Sequence, residues 1–65
     1  MADLSLEQVF SLLDTQHIKG SEKELKILCI RIAELVELNG EDWVKTSRQS
    51  LLDEWEYIVS QGVIG

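Results

Sequence analysis

Apolar residues recur at helical spacing in three stretches of the chain, and nowhere do they alternate strictly with polar ones as a half-buried strand requires. In the first stretch Leu6, Val9, Phe10 and Leu13 fall at i, i+3, i+4 and i+7, which makes one apolar face about two turns long. Ser5 stands ahead of it as an N-cap with Gln8 three residues on, a capping box, and Leu4 is placed to staple onto Val9. The spacing predicts a first helix over residues 5–16. So short a helix does not persist in water unless it docks on others. Thr15 to Gly20 then makes the connection.

The second stretch, Ser21 to Leu38, is the most apolar, and Ser21 with Glu24 repeats the capping box. At about 100° per residue, Leu25, Leu28, Cys29, Ile32, Ala33, Leu35 and Val36 gather on one arc that reads as core. Ile27, Ile30 and Leu38 fall outside that arc, among Lys26, Arg31, Glu34 and Glu37. They form a second apolar stripe that an ordinary surface helix does not carry. Asn39-Gly40 supplies the stop, so this helix is predicted over residues 21–39.

Glu41 and Asp42 open the third stretch with negative charge at the positive end of the helix dipole. Val44, Ser47, Leu51, Leu52, Trp55, Ile58 and Val59 then keep one register, which predicts a single long helix over residues 41–61. Gly62 ends it, with Val63 or Ile64 folding back over the last turn. Thr46 to Ser50 is weak in helix propensity, and Thr46 with Gln49 can cap a fresh start, so a kink near residues 46–48 is the alternative. The expectation is an all-α, three-helix bundle forming one domain over residues 1–65. The short link at Asn39-Gly40 makes the second and third helices antiparallel neighbours, and the first lies across them.

Composition narrows the possibilities. With 45% hydrophobic and 28% charged residues the chain is equipped to fold. At 65 residues, however, it buries only about 60% of its unfolded surface. The single cysteine, Cys29, excludes an intrachain disulfide, and with His17 as the sole histidine no zinc site of the usual type assembles, so no metal or cofactor is expected. Tight packing and self-association are what remain to stabilise it. The net charge of -6, half of it carried by residues 41–65, opposes binding to phosphate backbones and anionic lipid. The third helix sets Lys45 and Arg48 against Glu41, Asp42, Asp53, Glu54 and Glu56, which rules against a DNA-recognition helix. The longest apolar run, Ile27 to Leu38, is interrupted by Arg31, Glu34 and Glu37, so neither a signal peptide nor a membrane span is expected. A complete small cytoplasmic protein beginning at Met1 is the expectation.

The residues that carry chemistry argue against an enzyme. Cys29 lies on the core arc and His17 in a loop, with no third group to orient a nucleophile and base. Asp53, Glu54 and Glu56 point in spread directions around a helix and lack the EF-hand spacing, so a solvated polar face is expected. No glycine-rich phosphate loop is present.

Apolar and aromatic surface is therefore the feature left to explain. On a continuous third helix Trp43, Ser50, Glu54 and Tyr57 share a face, and its aromatics serve either as binding anchors or as a roof over the core. Arg48 falls beside Val44, Leu51, Leu52 and Trp55, where it needs a partner. That partner is either a surface acid reached by snorkelling or a group across a subunit interface. Ile27, Ile30, Leu38, Trp43, Arg48 and Tyr57 are thus the candidate interface residues. The expected function is that of a small acidic adaptor or regulatory module that binds an unidentified protein and self-associates as a two-fold dimer. One alternative is an acidic mimic of nucleic acid that inhibits a basic-groove protein. Another is a non-catalytic structural subunit of an enzyme complex.

Overall fold

The structure, a computed structural model, describes residues 4–62; the expected fold-back of Val63 or Ile64 lies outside them. The chain is all-α, but the described residues form four helices rather than three: α1 (Leu6–Leu12), α2 (Glu22–Asn39), α3 (Glu41–Thr46) and α4 (Arg48–Gln61). The single long helix expected over residues 41–61 is broken at Ser47, whose backbone sits at φ -92° and ψ 8°. A straight helix of that length would run about 31 Å at 1.5 Å per residue. The greatest extent of the fold is 28 Å, a little less than that length. The break falls in the stretch of poor helix formers from Thr46 to Ser50, where it costs least. Arg48 turns back across it, its Nη1 donating to the carbonyl of Lys45 at 3.3 Å.

Both N-terminal capping boxes are present. Ser5 and Gln8 exchange bonds of 2.8 and 3.2 Å at the start of α1, and Ser21 and Glu24 exchange bonds of 2.8 and 3.3 Å at the start of α2. These pairs satisfy N–H groups that have no partner within the helix. Helix α1 stops four residues before the expected end, at Leu12 instead of residue 16. Asp14 enters the left-handed region at φ 51°. The amides of Asp14 and Thr15 then return to the carbonyls of Ser11 and Phe10 at 3.2 and 3.0 Å, a Schellman closure built on aspartate in the place of the usual glycine. At the other end of α2, Gly40 at φ 91° both closes that helix and begins α3. A side chain there would find open space, so it is the backbone conformation that requires glycine.

The core is centred on Val9, Leu13, Ile32 and Val44, each at most 1% exposed, with Leu12, Ile18, Leu28 and Trp55 completing it. Leu25, Cys29, Leu35 and Val36 of the expected arc pack against it half-buried. Helix α3 lies close against α2 and also meets α1. Helix α4 reaches the core through Trp55, which is 4% exposed and whose indole Nε1 donates to the carbonyl of Lys19 at 2.9 Å. That bond ties the loop before α2 to the far half of the chain and satisfies the only polar group of a buried indole.

Candidate functional site

The core closes without three of the apolar residues of α2. Ile27 is 37% exposed, Ile30 56% and Leu38 79%. At about 100° per residue they fall within one face of the helix, together with Arg31 and Glu34. Beside that face runs α4, and between the two helices lies an open apolar groove of about 300 Å³ lined by Ile27, Ile30, Arg31, Glu34, Trp55 and Ile58. An ion pair marks its rim: Arg31 Nη2 donates to Glu54 Oε1 at 2.6 Å, with both side chains half exposed. Such a pair contributes at most about 1 kcal/mol in water, and it links α2 to α4. Leu38 continues the same face toward the end of α2.

The remaining candidate residues are distributed elsewhere. Trp43 belongs to α3 and Tyr57 to α4, exposed by 42% and 65%. Their common face presupposed one continuous helix. With the register reset at Ser47, Tyr57 instead lines a shallow hollow with Asp53, Glu56 and Ser60, and Glu54 is occupied by Arg31. Arg48 lies on the surface at the break, where its Nη2 sits 3.9 Å from Asp14 Oδ2 and its Nη1 on Lys45 carbonyl oxygen. It thus has partners within its own chain. Sequence reasoning did not identify Ile58 as a lining residue of the groove. Its register on the apolar arc placed it in the core, whereas the placement of α4 leaves it half-buried at the groove wall.

Cys29 is half-buried, and burial pushes its thiol above its ordinary value, so the thiolate needed for nucleophilic attack is disfavoured. The Thr15 hydroxyl is engaged with the backbone of His17, donating to its carbonyl at 3.0 Å. Among the described residues no group of three or more His, Cys, Asp or Glu side chains is arranged to hold a metal ion. Among those residues, too, no helix is long and apolar enough to cross a membrane. A second apolar hollow, of about 410 Å³, lies between the starts of α1 and α2 against Leu6, Glu22, Leu25 and Lys26. Its apolar walls, Leu6 and Leu25, are half-buried, whereas Ile27 and Ile30 at the α2–α4 groove are exposed. The chain matches no family model, no curated protein and no solved structure.

Proposed function

We propose that this chain is a small non-enzymatic protein-interaction module, adaptor or regulatory in character, whose working surface is the outer face of α2 with the groove beside α4. One observation carries the reading: Ile27, Ile30 and Leu38 stand exposed on one helical face although the core is complete without them. An exposed apolar cluster rimmed by charged groups is what interaction sites present, whereas single scattered apolar residues are ordinary. Self-association and binding of another protein are two uses of the same face. The test is affinity capture with the wild type and Ile30→Glu side by side, each checked for helicity by circular dichroism. The expected result is that Ile30→Glu keeps its helical signal and loses its bound proteins, and that the wild-type complexes withstand added salt. Complexes that ignore Ile30→Glu yet dissolve as salt is raised would instead favour the acidic mimic of nucleic acid.

A further inference from the structure

We infer that the junction of Asn39 and Gly40 is a site of self-modification, where the side-chain amide of Asn39 is lost to water by way of a cyclic imide and the last turn of α2 governs the rate. Asparagine is one of the thermolabile residues. Glycine after it favours the reaction, because the attacking atom is the backbone nitrogen of that next residue and no side chain obstructs it. Asn39 is the chain's only asparagine. It is the exposed last residue of α2, and a side chain at Gly40 would find open space, so no packing shields the junction. In the reaction the Gly40 nitrogen gives its proton to solvent base and bonds to Cγ of Asn39. The bond from Cγ to Nδ2 breaks, and ammonia departs with a proton from solvent. Water then opens the imide ring. Cleavage at Cγ leaves aspartate, whereas cleavage at the Asn39 main-chain carbonyl leaves isoaspartate, in which the main chain runs through Cβ and Cγ.

Two features of the folded chain hold the reaction back. The Gly40 amide donates to the Val36 carbonyl at 2.8 Å, so the attacking nitrogen is engaged. Asn39 is also helical, and the helical ψ of about -40° holds that nitrogen and Cγ out of line for ring closure. Both restraints belong to the last turn of α2, which is lightly held. Glu37, Leu38 and Asn39 are all exposed, Leu38 by 79%, and no basic side chain in that turn complements the negative end of the dipole. Helix ends of this kind open while the rest of the fold stays closed. The site therefore reacts through fraying of one turn rather than through global unfolding. Its product bears on the fold, because Gly40 also begins α3 and that short helix carries the fully buried Val44. Isoaspartate inserts a methylene into the main chain at this corner and parts the Gly40 amide from Val36.

Peptide mapping by mass spectrometry tests this on the chain held folded in warm, mildly alkaline buffer and, in parallel, unfolded in concentrated urea. The peptide containing Asn39 and Gly40 should gain about one mass unit in both, between about tenfold and a thousandfold more slowly in the folded chain, the range that local opening spans. Isoaspartate should be among the products, and the chain that carries it, once separated, should melt at a lower temperature. Asn39→Gln must close a larger ring and should abolish the gain. Leu38→Gly weakens the last turn without removing core, and should speed the folded reaction by about fourfold while leaving the rate in urea as it was. Trp55→Phe weakens the core and leaves that turn as it is, so the folded rate should not change. Equal rates in buffer and in urea overturn the proposal, since the bond from Gly40 to Val36 would then be no restraint. A folded rate that rises with Trp55→Phe and ignores Leu38→Gly overturns it too, because the site would then open only with the whole fold. So does a mass gain that persists in Asn39→Gln, or an unfolded chain that gains none.

Discussion

At the scale of single residues, the fold depends most on Trp55. Its ring fills the core from α4, and its Nε1 bond to the Lys19 carbonyl anchors the loop before α2. Gly20 is part of the same arrangement, since a Cβ there would sit 3.7 Å from that nitrogen and its φ of 145° suits glycine alone. Trp55→Phe retains an aromatic ring but deletes the donor and part of the volume, leaving the Lys19 carbonyl without its partner. A loss of about 2 kcal/mol is expected. For a domain of this size that corresponds to a melting temperature lower by about 10 °C. A thermal melt of the variant checks it, and an unchanged midpoint would mean that the loop is held by other contacts.

At the scale of elements, the break at Ser47 has a direct readout. The Ser47 amide donates to the Trp43 carbonyl at 2.9 Å, and the next such bond across the junction runs from Leu51 to Ser47 at 3.0 Å. Arg48, Gln49 and Ser50 therefore supply the first-turn amides of a new helix. Their hydrogen exchange should be markedly faster than that of Leu51 and Leu52, whereas uniform protection from Val44 to Trp55 would indicate a continuous helix. The same region shows how far the sequence was legible. The two capping boxes, the core arc of α2 and the glycine stop at Gly40 follow from local rules, and they appear where those rules place them. Local rules also flagged residues 46–48 as weak, but periodicity continues through them. Val44 and Trp55 share a register, so the hydrophobic pattern by itself does not announce the break at Ser47. Asp14 ended α1 early by a backbone conformation that aspartate adopts only occasionally. Ile18, 5% exposed within a loop, belongs to no periodic pattern that would have announced it as core. Of the candidate surface, the exposed stripe on α2 was legible as an excess of apolar residues over what one face needs. The groove was not, because it depends on where α4 comes to rest.

At the scale of the whole molecule, a small core works against a chain that carries twelve acidic and six basic side chains. The exposed acids of α3 and α4 repel one another in the compact state, and salt screens that repulsion over distances of about 10 Å or less. The melting temperature is therefore expected to rise by a few degrees between low ionic strength and about 0.5 M salt. A fall would mean that pairs such as Arg31 with Glu54 outweigh the repulsion. The indole clamp described earlier has an optical consequence as well. Trp55 is shut away with its nitrogen bonded, while Trp43 stands 42% exposed on α3. The two therefore emit from different surroundings, Trp55 toward the blue and Trp43 toward the red. A neutral quencher such as acrylamide, which the acidic surface does not turn away, should extinguish Trp43 first. Trp43→Phe then leaves a chain whose remaining emission reports the seating of the Lys19 loop against α4, a gauge that is already built into the protein.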